Sequence, residues 1–320
     1  MTDRIINFGI IGLGRIARRF AEVLTGENVK NAGLVAVASN DAAKAEAFGK
    51  EFGAENSYDN YVDLVNNKVV EIVYIANTNN MHFETIKLCL NNGKAVICEK
   101  PFVMHKKEAA ELAALAAEKN LFLMEAMWTR FLPAYRKAVE WVSSKAIGDL
   151  KLIEASFCFG GDENPESRLY NPALGGGATY DVGVYALEFI TGIAGKPRDV
   201  SGYTAKTKTG VDACSIINLA FDGGVLAQAR CAVSVVAGGG ASIYGSEGRI
   251  KFDLFYNAQS CERFDKHGAL VEKFEAEDLD GFTYQIRHTA EMLQQGKKES
   301  PVMPISDTID CAGIFDDVLG

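Results

Sequence analysis

The chain has 320 residues, long for a single hydrophobic core, so two domains are expected. Apolar residues make up 48% and charged residues 23%, and the net charge of −9 offers no general attraction to nucleic acid or an anionic membrane. The seven cysteines stand without CxxC spacing and the four histidines without HxxxH spacing, which argues against a disulfide scaffold or a bound metal and for a reducing, cytoplasmic setting.

The N-terminus shows no secretory h-region, and no apolar run is long enough for a bilayer. Residues 5–11 (IINFGII) predict a buried strand, followed by GLGRIA and a helix to about Leu24. Further strands are expected at 34–38, 71–76, 94–98 and 121–124. Helices are expected around Ala45 and Phe48, over 83–91 and over 106–118. Short apolar strands alternating with amphipathic helices imply βαβ units and a doubly wound parallel sheet, here a dinucleotide-binding Rossmann domain over 1–124.

The pattern changes near residue 125. A helix is expected over 133–144, then strands at 150–160, 199–206, 213–221, 225–234, 241–245 and 249–255. Turn signals such as Asp222-Gly223-Gly224 join them, so the sheet of this second, α+β domain (125–320) is expected to be mostly antiparallel. Helices interrupt and close the run at 182–194 and 283–295.

Several short segments carry chemistry. Gly12 permits a tight turn after the first strand, Gly14 leaves room for a pyrophosphate, and Ala17 allows close packing, so Gly12, Gly14, Arg15 and Ile16 form the expected phosphate site at a helix N-terminus. An acid at the end of the second strand would favour NAD; Ser39 and Asn40 stand there instead, with Arg15 and Lys44 able to add positive charge. NADP is therefore favoured, with NAD as the alternative.

Other strands end in polar groups: Asn77-Thr78, Glu99-Lys100-Pro101, and Glu125 shortly before Trp128. Ligands of open α/β sheets sit beyond such ends, which makes Asn77, Thr78, Glu99, Lys100 and Trp128 cofactor-site candidates. Lys100 can donate a proton or a hydrogen bond to a substrate oxygen, and Pro101 stiffens the chain beside it. His82 either packs at a helix start or lies near the cofactor; Trp128 either belongs to the core or walls a pocket. In the second domain, Gly175-Gly176-Gly177 runs into a helix on which Asp181 and Tyr185, four apart, share a face. The glycines would let that face approach another domain or a ligand, and the phenol of Tyr185, acidified by Lys100, could exchange a proton with a carbinol or carbonyl. The alternative is that Asp181 starts a helix and Tyr185 packs in the core.

GLGRIA, the 77–82 segment, Glu99-Lys100-Pro101 and the triple glycine with Asp181 and Tyr185 together resemble the Gfo/Idh/MocA oxidoreductases over nearly the whole chain. Residues 125–131 (EAMWTRF) and 296–301 (GKKESP) are similar to its trans-1,2-dihydrobenzene-1,2-diol dehydrogenase and NADP-linked D-xylose dehydrogenase branch. The resemblance implies a Rossmann domain with a large open-sheet domain, and hydride transfer between a nicotinamide and a secondary alcohol or carbonyl, often of a sugar. It also implies homodimers through the C-terminal sheet. It makes Lys100 and Tyr185 the proton-transfer pair, Asp181 their companion, and Arg168 a residue near nicotinamide and substrate. Asn77-Thr78 departs from the family's common Thr-Pro, Asn40 from an arginine typical of the NADP branch, and a short last helix is expected. A different class, a dinucleotide sensor without turnover, would need no such proton-transfer residues.

Overall fold

The computed structural model describes residues 4–161 and 163–320. The first part of the chain runs β1 (Ile6–Ile11), α1 (Arg15–Leu24), β2 (Ala32–Ala38), α2 (Ala42–Phe52), β3 (Asn56–Tyr58), α3 (Tyr61–Asn66) and β4 (Ile72–Ile75). It continues through α4 (His82–Asn91), β5 (Ala95–Cys98), α5 (Lys106–Lys119) and β6 (Leu123–Glu125). After α6 (Pro133–Ser143) come β7 (Leu150–Cys158), α7 (Val184–Ala194), β8 (Asp199–Lys206), β9 (Asp212–Ala220), β10 (Leu226–Ala232), β11 (Gly239–Gly245) and β12 (Gly248–Phe252). The chain closes with β13 (Ser260–Asp265), β14 (Leu270–Glu275), α8 (Gly281–Gln294) and α9 (Ile305–Leu319).

Two units emerge. The first comprises Met1–Val103, Lys107–Ala126 and Asp280–Ile305; the second Met104–Lys106, Met127–Leu279 and Ser306–Gly320. The division at 126/127 lies close to the boundary expected from sequence, but the segment Asp280–Ile305, expected with the second domain, belongs to the first. The cause is local. Phe282 on α8 meets the Phe20 ring edge-on at 5.7 Å, and Arg19 donates to Asp280 at 2.9 Å, so this helix covers apolar surface of α1.

In the first unit the strands are all parallel, in the order β3-β2-β1-β4-β5-β6. β4 and β5 are buried at every residue, as expected of strands covered on both faces. The strand order reverses between β1 and β4, which opens a crevice at their carboxyl ends. β3 and α3 are too short to leave a periodic signal, and sequence reading passed over both.

The second unit holds an eight-stranded sheet, β14-β13-β12-β11-β7-β10-β9-β8, antiparallel except where β7 meets β10. β13 and β14 were not foreseen, because their charged residues hide the alternation. One face packs under α7, whose Ala186, Leu187, Phe189 and Ile190 are buried. A buried ion cluster ties α7 to its surroundings: Arg130 lies 2.5 Å from both Glu188 and Asp307 and donates to Thr191 at 2.9 Å. Asp307 belongs to α9, which at 15 residues is longer than the short last helix expected.

Candidate functional site

The phosphate end is built by the turn between β1 and α1. Gly12 has φ +86°, and a Cβ there would lie 2.6 Å from the carbonyl carbon of Ala76. The turn can therefore pass against the end of β4 only as glycine. A Cβ on Gly14 would meet nothing within 4 Å, so the space before the helix is open. Gly14 caps α1 without a side-chain hydrogen bond, which leaves first-turn N–H groups and the positive helix end directed at that space. These residues fit a dinucleotide pyrophosphate.

At the end of β2, Ser39 is buried and its Oγ accepts from the Asp41 N–H at 3.2 Å. Asp41 in turn caps α2, accepting from the Lys44 N–H at 3.1 Å. The nearest acid is thus engaged in helix capping, while Asn40, Arg15, Ile16 and Lys44 are exposed. This arrangement suits a ribose carrying a phosphate better than one carrying a free hydroxyl pair.

The ends of β4 and β5 face each other across one buried imidazole. Asn77 is half-buried and donates to Thr85 at 2.9 Å; Thr78 donates to Asn80 at 2.7 Å. His82 has 0% exposure, with Nδ1 2.9 Å from the Pro101 carbonyl and Nε2 3.3 Å from the Asn77 carbonyl. Carbonyls only accept, and a neutral ring has one N–H, which belongs on the shorter contact. Burial, helped by the Lys100 charge, holds the His82 pKa below its ordinary value. The ring, expected either to pack at a helix start or to lie near the cofactor, here bridges the two loops through both nitrogens. Glu99 is buried and accepts from the Tyr74 hydroxyl at 2.6 Å. Lys100 is half-buried at the carboxyl end of β5, and the Lys100–Pro101 peptide is cis.

In the second unit, residues Thr179–Gly183 form a π-helical turn that leads into α7. Such widened turns are frequent at functional sites, and this one carries Asp181. The Asp181 carboxylate accepts from Arg168 at 2.8 Å. Tyr185 is half-buried, with its ring 5.7 Å from Phe157 and 6.2 Å from Tyr256; those two rings stack at 3.8 Å. The triple glycine is closely packed. A Cβ on Gly176 would meet the Leu169 carbonyl at 2.7 Å, and one on Gly177, at φ +128°, would collide with Asp212. Trp128 is buried at 8% exposure in a 3-10 turn of this same unit.

Residues 6–127 match the family described as an oxidoreductase family with an NAD-binding Rossmann fold, and residues 135–251 match the GFO/IDH/MocA C-terminal domain. The trans-1,2-dihydrobenzene-1,2-diol dehydrogenase of Bos taurus is 32% identical over 323 residues, covering 98% of this chain and 96% of the relative. The chain belongs to the GFO/IDH/MocA oxidoreductase family. Among solved structures, a 3-ketoreductase variant from Actinomadura kijaniata, in complex with TDP-benzene and NADP, superposes with a TM-score of 0.86 at 25% identity, covering 98% of this chain and 96% of that one. An aldose-aldose oxidoreductase from Caulobacter crescentus complexed with glycerol shares the fold, with a TM-score of 0.89 at 22% identity and the same coverage.

This GFO/IDH/MocA member also uses residues that sequence reading did not single out. Asp212 is buried, and its Oδ2 accepts from the Thr179 N–H and hydroxyl at 2.7 Å and from Ser215 at 2.9 Å, which pins the start of the Asp181 turn. No spacing rule announces it. Arg130 was legible in principle, since an arginine inside the apolar run AMWTRFL signals a paired buried charge. Among the described residues no helix is long and apolar enough to cross a membrane, and no group of three or more His, Cys, Asp or Glu could hold a metal ion.

Proposed function

We propose that the chain is an NADP-preferring dehydrogenase or reductase acting on a secondary alcohol or carbonyl of a sugar, polyol or dihydrodiol. Lys100 and Tyr185 are its proton-transfer pair, with Asp181 and Arg168 beside Tyr185. The observation that carries the reading is Lys100 at the carboxyl end of β5, one strand from the switch point where the Gly12–Gly14 turn and an uncapped helix end suit a pyrophosphate. When bound, the nicotinamide supplies the hydride acceptor or donor. The protein's part is to give or take the hydroxyl proton, through the Lys100 amine and the Tyr185 phenol.

The preference for NADP rests on Asp41 being engaged as a cap while Arg15 and Lys44 are exposed. The stacked Phe157 and Tyr256 rings next to Tyr185 suit the flat C–H face of a cyclic substrate. The Actinomadura relative has been solved with lysine and tyrosine variants, in keeping with the interest of such a pair there. A cytoplasmic setting suits seven cysteines that form no disulfide among the described residues.

A homodimer through the second sheet is part of the same reading. Tyr203, Ile216 and Leu226, at 87%, 42% and 55% exposure, stand on the sheet face that α7 leaves uncovered. Ile216→Arg is expected to convert a sedimenting dimer to monomer; an unchanged dimer would place the interface elsewhere.

The test of the function is titration of the protein with NADP and NAD, followed by a turnover screen over sugars, diols and carbonyls with the tighter binder. Tighter NADP binding with turnover is the expected result. Binding without turnover on any of these would favour a dinucleotide sensor.

A further inference from the structure

One peptide unit, the one joining Pro101 to Phe102, is gripped at both ends by buried side chains. Its carbonyl oxygen faces His82 Nδ1 at 2.9 Å, and its N–H donates to Glu125 Oε1 at 3.1 Å. His82 opens α4 and Glu125 closes β6, so the grips come from two elements on either side of the loop. Both side chains are buried, at 0% and 2% exposure.

We propose that His82 and Glu125 are positioning residues whose paired grip on the Pro101–Phe102 peptide fixes where the Lys100 amine stands. Two bonds to opposite edges of one peptide plane fix its translation and its tilt. Pro101 has a locked φ and lies directly between that plane and Lys100. On the other side the chain is anchored as well, since the Glu99 N–H donates to Ile75 at 2.9 Å and the Cys98 carbonyl accepts from Ala126 at 2.7 Å. The Lys100 backbone is thus held between two fixed points. Neither positioning residue has surface with which to touch a substrate. A carboxylate and an imidazole are expensive groups to bury, and each contributes one contact to this backbone unit.

This inference rests on the reading of Lys100 as a proton donor, so its test reads Lys100 directly as well as through turnover. The whole chain is prepared as His82→Ala, His82→Asn, Glu125→Leu and Glu125→Gln, with circular dichroism to establish folding. Asparagine places an amide N–H near the position of Nδ1, and glutamine keeps the accepting oxygen. The lysines are reductively methylated with carbon-13 and the Lys100 resonance, assigned with Lys100→Met, is followed against pH.

The expected result is a displaced Lys100 titration in the alanine and leucine variants, restored in the asparagine and glutamine variants. Turnover should fall about tenfold or more in the first pair and recover in the second, since misplacement by an ångström weakens catalysis steeply. Folded alanine and leucine variants with a wild-type Lys100 titration would overturn the proposal. So would conservative variants as displaced as the truncations. If the alanine or leucine variant does not fold, the asparagine and glutamine variants decide alone: a displaced titration in both contradicts the proposal, and a retained one supports it. An active Lys100→Met would instead defeat the reading of Lys100 as a proton donor, and the resonance would still report on the grip.

Discussion

The guanidinium of Arg168 donates to the carboxylate of Asp181 at 2.8 Å, across the loop that carries the triple glycine. Asp181 is the less exposed partner, at 11% of its side chain against 51% for Arg168. The carboxylate therefore orients the arginine. The two act as a unit. Arg168→Met and Asp181→Asn are each expected to lower kcat/KM by about tenfold or more, and the double variant by no more than the worse single one. Steady-state kinetics of the three variants checks this; additive losses would show two independent roles.

The adenosine end leads to a change of cofactor preference. Asn40 is exposed just past β2, and the neighbouring acid, Asp41, is committed to capping α2. Asn40→Asp adds a negative charge where a 2′-phosphate would lie and an acceptor for a ribose hydroxyl. NADP affinity should drop by roughly tenfold, ~1.4 kcal/mol, while NAD affinity holds or improves. Paired titrations with the two dinucleotides measure it.

The buried imidazole links pH to stability. His82 has its folded pKa below the ordinary 6.5, because burial disfavours the charged ring. The unfolded chain therefore takes up a proton first as pH falls. Stability from this group is independent of pH well above that value and declines as pH drops through it, by at most ~1.4 kcal/mol per pH unit. Urea unfolding of wild type and His82→Asn at neutral and mildly acidic pH should show the slope in the former and its reduction in the latter. Equal slopes would mean the ring takes up its proton without cost in the folded state.

Much of this was legible in the sequence, for identifiable reasons. The parallel sheet shows because β1, β4 and β5 are near-continuous apolar runs, and the glycine turn shows because a strand and a helix flank it. Lys100 and Tyr185 stand out as candidates by their places at a strand end and after a glycine loop. What escaped notice depends on tertiary contact. Nothing near Asp212 in the sequence says that its carboxylate will accept from Thr179, 33 residues away. The roles of His82 and Glu125 follow from one peptide that both happen to reach. The return of α8 to the first unit is decided by Phe282 finding Phe20, and chain order gives no hint of it. Short elements such as β3 and charged strands such as β14 lack the periodicity that a sequence can display.

The central claim is that the Lys100 amine and the Tyr185 phenol move the proton that accompanies hydride transfer. The most direct measurement is single-turnover absorbance of the nicotinamide with an accepted substrate, in wild type, Lys100→Met and Tyr185→Phe, each saturated with dinucleotide. Both variants should bind the dinucleotide and lose the rate of the chemical step by at least about a hundredfold. A variant of either residue that transfers hydride at the wild-type rate would contradict the account.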